Sequence, residues 1–191
     1  MTKFNHFDLV APVYERFIKP IDPNRLVSLI GLPINGLLLD AGGGTGRISY
    51  TLRNWVNGIV IVDSSIGMLE QARIKTGIKT VCSNTEGLPF QNEIFERVIM
   101  VDALHHVSDI NATLDELWRV VIPGGRIVIE EPDIQTFPVK IMAIIEKLIF
   151  MRSHFETPQN IQKAFRDTKA THRIVREGVI SWIIVDKLLD K

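Results

Sequence analysis

The chain has 191 residues, which is enough for one domain with a substantial buried core and too few for two ordinary domains. Its 46% hydrophobic and 23% charged residues exclude a disordered or fibrous protein, and the balance of 22 basic against 22 acidic residues argues against dedicated nucleic-acid binding. A single cysteine, a polar N-terminus and the lack of any apolar run near the ~20 residues that cross a bilayer predict a cytoplasmic protein without a transmembrane segment.

Short apolar runs alternate with helical patterns along the first 135 residues. Strands that are apolar throughout are typical of a parallel sheet with helices on both faces, and right-handed crossovers make such a sheet a doubly wound α/β fold. The predicted strands are 36–40, 58–63, 78–83, 95–102 and 125–131, and the predicted helices between them are 47–55, 64–75 and 109–120.

The pattern changes after residue 135. A helix that is apolar on most sides is predicted at 137–155, and an antiparallel hairpin at 171–187 around Gly178. The fold class is therefore α/β: a doubly wound, Rossmann-like, mostly parallel seven-stranded sheet with a C-terminal antiparallel hairpin. We predict a single domain over 1–191, divided into an N-terminal helical cover (1–30), a binding core (36–135), and a helical cover with the closing hairpin (136–191).

Acidic side chains stand at the ends of the predicted strands. Ligands of open parallel sheets bind beyond the carboxyl ends of the strands, so one crevice can collect these acids. They are Asp40, Asp63, Asp102, Glu130 and Glu131. Together with Asp133, the last two form an acidic edge that either touches substrate or is solvated.

A glycine cluster follows the first predicted strand, from Asp40 to Gly46 (D-A-G-G-G-T-G). Glycines let the chain turn sharply and let a ligand approach the backbone; a plain turn without a ligand is the alternative. The dinucleotide fingerprint G-x-G-x-x-G would need glycine where the chain has Arg47 or Ser49. Asp40 would repel a diphosphate and attract the ammonium and sulfonium groups of S-adenosylmethionine, which is the favoured ligand.

This loop resembles the first motif of class I S-adenosylmethionine-dependent methyltransferases. The resemblance implies that Asp63 binds both ribose hydroxyls of the cofactor; capping the next helix is the alternative. Ser64 and Met68 fall where the family lines the adenine pocket. The segment 83–90 (S-N-T-E-G-L-P-F) is similar to the family's D-A-E-x-L-P-F, with Asn84 in place of an Asp that accepts a hydrogen bond from adenine.

The sequence L-H-H at 104–106 resembles the branch that includes ubiquinone and menaquinone biosynthesis methyltransferases. His105 or His106 is implied as a base for the acceptor; the alternative is a structural role, with one ring packed on a helix and the other bonded to backbone. The opening F-D-L-V-A-P-V-Y resembles that branch's first helix, with Tyr14 closing over the cofactor. The implied cofactor contacts are Tyr14, Asp40, Ala41, Gly42, Gly44, Gly46, Asp63, Ser64, Met68, Asn84, Thr85, Glu86, Asp102 and Ala103.

The predicted function is methyl transfer from S-adenosylmethionine to a small aromatic or isoprenoid-like acceptor by in-line displacement, with S-adenosylhomocysteine as the product. Two alternatives stay open: a non-catalytic S-adenosylmethionine-binding module, and an NAD(P)-dependent oxidoreductase on the same sheet. No metal site is predicted, because the five histidines lack ligand-like spacing with cysteine or acidic partners. The sequence sets neither the acceptor atom nor the oligomeric state.

Overall fold

A computed structural model of the chain describes residues 22–148, 153–165 and 169–189. The strands are β1 (Leu37–Ala41), β2 (Gly58–Asp63), β3 (Ile78–Cys82), β4 (Phe95–Val101), β5 (Val121–Pro132), β6 (Ala170–Glu177) and β7 (Ile180–Lys187). The helices are α1 (Pro23–Ile30), α2 (Arg47–Leu52), α3 (Ile66–Arg73), α4 (Ile110–Val120), α5 (Phe137–Leu148) and α6 (Pro158–Ala164). Short 3₁₀ turns follow α2 at Arg53–Trp55 and β4 at Leu104–His106.

The strands form one sheet in the order β3-β2-β1-β4-β5-β7-β6. Strands β1 to β5 run parallel to one another, whereas β7 is antiparallel to β5, and β6 is antiparallel to β7. This confirms the predicted mostly parallel seven-stranded sheet with a C-terminal antiparallel hairpin. Because β2 lies on one side of β1 and β4 on the other, the carboxyl end of β1 is the switch point at which such sheets bind ligands.

Alternate residues of the central strands face two separate helix layers. On one face, Leu39 of β1 lies in a cluster with Leu117 of α4. On the other face, Leu38 lies in a cluster with Leu26 of α1 and Leu52 of α2. All five side chains are at most 1% exposed, and burying one leucine contributes about 1.5–3 kcal/mol. Helices on both faces explain why the strands are apolar at nearly every position.

Two predicted boundaries were wrong. The helix expected at 137–155 does not reach its predicted end, since residues 153–157 are not helical. Thr157 begins α6 instead: its side chain accepts a hydrogen bond from the N–H of Asn160 (3.2 Å), and Pro158 takes the first helical position. Strand β5 begins at Val121 rather than at 125, and its register with β4 shifts where the Pro-Gly-Gly segment is inserted.

The predicted N-terminal cover lies mostly outside the described residues, as does Tyr14. The division of the chain into cover, core and second cover therefore stays a prediction. Within the described ranges, no helix is both long enough and apolar enough to cross a membrane. The same residues contain no group of three or more His, Cys, Asp or Glu side chains arranged to hold a metal ion.

Candidate functional site

A crevice of about 230 Å³ opens at the carboxyl ends of β1, β2 and β4, where the sequence places its acids. The predicted site residues that line it are Asp40, Gly42, Gly44, Asp63, Ser64, Met68, Asn84, Thr85, Glu86, Asp102, Ala103 and His106. Residues that the sequence analysis missed also line it: Gly43, Thr45, Arg47, Ile48, Ser83, Met100, Val101, Val107 and Ser108. The structure therefore brings the four predicted motif regions into one cavity.

The glycine loop crosses the end of β1 with its backbone against the crevice. Gly42 has a φ of +71°, and a Cβ there would lie 2.7 Å from the Cβ of Ala103, so only glycine fits. Gly44 has a φ of +52°, and a Cβ there would lie no closer than 3.9 Å to any neighbouring atom. A ligand can therefore come close to the backbone at Gly44 without meeting other side chains.

Asp63 joins the glycine loop to the end of β2. Its Oδ2 accepts a hydrogen bond from the N–H of Gly44 (2.9 Å), and its Oδ1 accepts one from the N–H of Ser65 (2.8 Å). The cap of α3 is Ser65, whose hydroxyl accepts a hydrogen bond from the N–H of Met68 (3.1 Å). Asp63 is thus not the helix cap itself, and its carboxylate lines the crevice.

Asp40 is buried beneath the loop at only 1% exposure. Its Oδ2 accepts a hydrogen bond from the hydroxyl of Ser49 in α2 (2.7 Å). Burial raises the pKa of Asp40 to about 6, and the bond from Ser49 opposes that rise. A ligand that brings positive charge to this crevice would favour the ionised form.

The segment after β3 is held against the start of α4. Oε1 of Glu86 accepts hydrogen bonds from the N–H groups of Ser108 (2.7 Å) and Asp109 (3.3 Å). The hydroxyl of Thr85 lies 3.2 Å from that of Thr113. These contacts fix the wall on which Asn84 also lies.

The turn after β4 is organised by an acid at the end of β5. Oε1 of Glu131 accepts hydrogen bonds from the N–H groups of Ala103 (3.1 Å) and Leu104 (2.7 Å), and its Oε2 lies 2.6 Å from Nδ1 of His105. Asp102 in this turn has a φ of +54°, in the left-handed region that non-glycine residues rarely occupy. The pairing with Glu131 therefore fixes an otherwise unfavourable backbone path at the crevice.

The two adjacent histidines have different surroundings. The ring of His105 is 3% exposed, pairs with Glu131 and is not among the residues that line the crevice. The ring of His106 lines the crevice. Burial, reinforced by the neighbouring His105, lowers the pKa of His106 to about 3, so its imidazole is neutral at physiological pH.

A segment that the sequence analysis assigned to a helix packs over this turn. The ring of Phe155 stacks on that of His105, with the ring centroids 4.6 Å apart, and the N–H of His154 donates to the carbonyl of His105 (2.7 Å). Oγ of Ser153 lies 3.4 Å from Nδ1 of His106. These contacts join residues distant in sequence, and no local pattern indicates them.

Some predicted residues lie away from the crevice surface. Ala41 and Gly46 are buried and do not line it; Gly46 has a φ of +75°, and a Cβ there would lie 2.9 Å from Cδ1 of Ile61, so it allows α2 to pack on the sheet. The acidic edge is not solvated: the acids at the end of β5 are at most 4% exposed, namely Glu130, Glu131 and Asp133.

Comparison with known proteins finds similarity to methyltransferases. Residues 39–129 match a family model described as a methyltransferase domain, which spans the loop, Asp63 and the histidine turn. Over 192 residues the chain is 29% identical to the demethylmenaquinone methyltransferase of Tropheryma whipplei (strain Twist), with 95% of this chain and 77% of that protein aligned. The motifs, the sheet and these similarities support a class I S-adenosylmethionine-dependent methyltransferase.

Other relatives of the chain align over less of their length. It is 30% identical over 128 residues to the ubiquinone/menaquinone biosynthesis C-methyltransferase UbiE of Zymomonas mobilis subsp. mobilis, with 64% of this chain aligned to 53% of that protein, so the chain spans about half of that relative. Among solved structures, an S-adenosylmethionine-dependent methyltransferase from Thermotoga maritima superposes with a TM-score of 0.76 at 20% identity, over 95% of this chain and 97% of that one.

The walls of the crevice suit S-adenosylmethionine, the cofactor of class I methyltransferases. Four carboxylates line the crevice, on Asp40, Asp63, Glu86 and Asp102, and they favour a ligand with ammonium and sulfonium charges over a diphosphate. The open backbone at Gly44 supplies the close approach that such a ligand needs.

Proposed function

We propose that this methyltransferase transfers a methyl group from S-adenosylmethionine to a small-molecule acceptor by in-line displacement. The observation that carries the proposal is the junction of Asp63 with the glycine loop at the switch point of the sheet, with the Gly44 N–H and Asp63 Oδ2 2.9 Å apart. A loop and a strand end joined in this way present backbone and a carboxylate to the same ligand.

The position of each residue along the crevice indicates which part of the cofactor it would bind. Asp63 would bind the ribose hydroxyls, because its two oxygens accept from neighbouring O–H donors. Ser64, Met68 and the segment 84–86 after β3 would hold adenine, since they lie beyond Asp63 on the β2 and β3 side. The amino-acid part would then lie over β1 and β4, beside Asp102 and Ala103.

His106, rather than His105, would face the acceptor. When bound, S-adenosylmethionine supplies an electrophilic methyl group on its sulfonium. A neutral imidazole accepts a hydrogen bond from an acceptor O–H or N–H and orients it, and its low pKa makes it a weak base. His106 would thus position an acceptor that is already nucleophilic, while His105 is held by Glu131 at 2.6 Å.

The acceptor class rests on the relatives rather than on the crevice alone. The Tropheryma whipplei relative is named for demethylmenaquinone. Apolar side chains of Met100, Val101 and Val107 line the crevice on the β4 side, which suits an aromatic or isoprenoid-like acceptor. The proposal also includes that the protein does not bind nucleic acid, because its charge is balanced, and that it is cytoplasmic, because it has a single cysteine.

Calorimetric titration with S-adenosylmethionine and S-adenosylhomocysteine tests the cofactor assignment. We expect micromolar or tighter binding to the wild type and a loss of about 100-fold in Asp63→Ala, because two hydrogen bonds to a charged group disappear. Asp109→Ala is the matched control: Asp109 also accepts a backbone N–H before a helix, from Ala112 (3.0 Å), but does not line the crevice. Unchanged affinity in Asp63→Ala would remove the ribose assignment.

Two further measurements address the alternatives. Methyl turnover with any acceptor would exclude a non-catalytic binding module, for which the substitution of Asn84 in the adenine segment is the motivating observation. A fluorescence titration with NADH should show no binding, and saturable binding would favour the oxidoreductase.

A further inference from the structure

We propose that Glu130 and Trp182 form a subsite for the methyl acceptor, in which they bind a hydroxyl group carried by an aromatic ring. This subsite rests on the proposed function and extends it, because it gives the acceptor a chemical class. The two side chains are buried toward the carboxyl edge of the sheet and have no role in the proposed binding of the cofactor.

Strand register places the two residues side by side. Glu130 of β5 is paired with Trp182 of β7, and on its other side it is paired with Val101 of β4. Side chains of residues paired across neighbouring strands lie on the same face of the sheet, with their Cβ atoms about 5 Å apart. The three residues therefore form a row on one face, with Glu130 in the middle.

One end of this row meets the crevice. Val101 lines the crevice, and so does Asp102, whose N–H donates to the backbone carbonyl of Glu130 (3.0 Å). Neighbouring strands are about 4.8 Å apart, so Glu130 lies one strand and Trp182 two strands beyond the crevice wall at Val101. An acceptor that lies against Val101 can therefore place a ring substituent at Glu130.

Both side chains are buried without a hydrogen-bond partner. Glu130 is 4% exposed and Trp182 is 2% exposed. Within the ranges that the structure describes, Nε1 of Trp182 is a buried donor without an acceptor, and the carboxyl of Glu130 makes no hydrogen bond or ion pair. Burial, together with the charges of Asp102 and Glu131, raises the pKa of Glu130 to about 8. Because buried polar groups are nearly always paired in folded proteins, these two groups point to a ligand.

A hydroxyl group satisfies both side chains at once. The indole N–H only donates, and an ionised carboxylate only accepts. A hydroxyl oxygen accepts a hydrogen bond from Trp182 while its proton is donated to Glu130. An ammonium group has no lone pair for the indole, and a carbonyl group has no proton for the carboxylate. The apolar side chains of Met100, Val101 and Val107, which line the crevice beside the row, suit the ring that carries the hydroxyl.

Calorimetry with two probes tests the subsite. The probes 1-naphthol and 1-methylnaphthalene share a ring system and have similar sizes, but only the first has a hydroxyl. With S-adenosylhomocysteine bound, we expect the wild type to prefer 1-naphthol by about tenfold, and Glu130→Leu to lose that preference while binding 1-methylnaphthalene at least as tightly. Glu130→Gln should keep part of the preference, because its amide oxygen still accepts. Trp182→Phe should lose part of it, because the N–H donor is removed.

Two variants control for the loss of a buried acid and of a tryptophan. Asp133→Asn changes another buried acid beside the end of β5, and Trp118→Phe changes a tryptophan that packs on the opposite face of the sheet from Trp182. Both should keep the wild-type preference. The inference would be overturned if the wild type bound the two probes equally or bound neither, if Glu130→Leu kept the preference, or if either control lost it. A wild type that does not bind S-adenosylhomocysteine would instead refute the proposed function itself.

Discussion

Asp40 is the acid whose replacement tests most directly how the protein combines folding with ligand binding. Its side chain is 1% exposed, and burial raises its pKa from 3.8 to about 6. The bond from Ser49 and the charge of Arg47 lower this pKa, whereas the charge of Asp63 raises it. Asp40→Asn removes the charge but keeps an oxygen that accepts the Ser49 hydroxyl.

The direction of the pKa shift of Asp40 determines how the stability of the protein changes with pH. Because the folded protein holds the Asp40 proton more tightly than the unfolded chain does, the folded state is favoured at low pH and loses stability as pH rises from 3.8 to about 6. Each pH unit in that window changes the folding equilibrium about tenfold, so ionised Asp40 costs ~3 kcal/mol at pH 8. Asp40→Asn should therefore be ~3 kcal/mol more stable than the wild type at pH 8, and about half that at pH 5.

Urea denaturation at both pH values measures the stability, and calorimetry measures the affinity for S-adenosylmethionine. The affinity of Asp40→Asn should fall about tenfold, because the neutral amide no longer attracts the cofactor's positive charges. Glu130→Gln is the matched control: burial raises the pKa of Glu130 to about 8, but Glu130 does not line the crevice, so this variant should gain stability and keep its affinity. An Asp40→Asn protein that is less stable than the wild type at pH 8 would refute the reasoning.

Two further substitutions have matched partners in the chain. Gly42→Ala should abolish cofactor binding and lower the free energy of unfolding by about 1–3 kcal/mol, because the added Cβ would lie 2.7 Å from the Cβ of Ala103 at a φ of +71°. Gly87→Ala is the control, since a Cβ there would have no atom within 4 Å. In the same denaturation and titration assays, this control should change neither stability nor affinity. Glu131→Gln should lower both stability and cofactor affinity, because it disturbs the turn after β4. Asp133→Asn is the control, because Asp133 is equally buried beside the end of β5, and it should lower stability alone. Equal affinity losses in the two variants would contradict this role for Glu131.

The strands and the location of the site could be predicted because both depend on local pattern. Strand β2, at Gly58–Asp63, coincides with its apolar run. Helices cover both faces of the sheet, so every position between Gly58 and Asp63 is apolar and the strand stands out in the sequence. Asp40 and Asp63 end neighbouring parallel strands, so topology alone brings them to the same edge of the sheet. The glycine loop could also be predicted, because a sharp turn after a strand needs residues that tolerate positive φ values. Three of its glycines have such values, namely Gly42, Gly44 and Gly46.

The different surroundings of His105 and His106 could not be predicted in the same way. Adjacent residues on a strand would point apart, but a 3₁₀ turn places their ring centroids 3.9 Å apart, and the Glu131 carboxylate selects which ring turns inward. That partner is 26 residues away in the chain. The segment 153–157 was missed for the same reason, since its contacts with the turn are long-range.

The distribution of charge links the stability of the protein to its proposed chemistry. Asp40, one of the four carboxylates that line the crevice, is buried with a raised pKa, so its ionised form destabilises the protein without cofactor. Such a cost is understandable if the ligand supplies positive charge, since binding then relieves the repulsion. Methyl transfer removes the sulfonium charge, so the same carboxylates attract the substrate form of the cofactor more strongly than the product form. In this arrangement, charge in the crevice favours both capture of S-adenosylmethionine and release of S-adenosylhomocysteine.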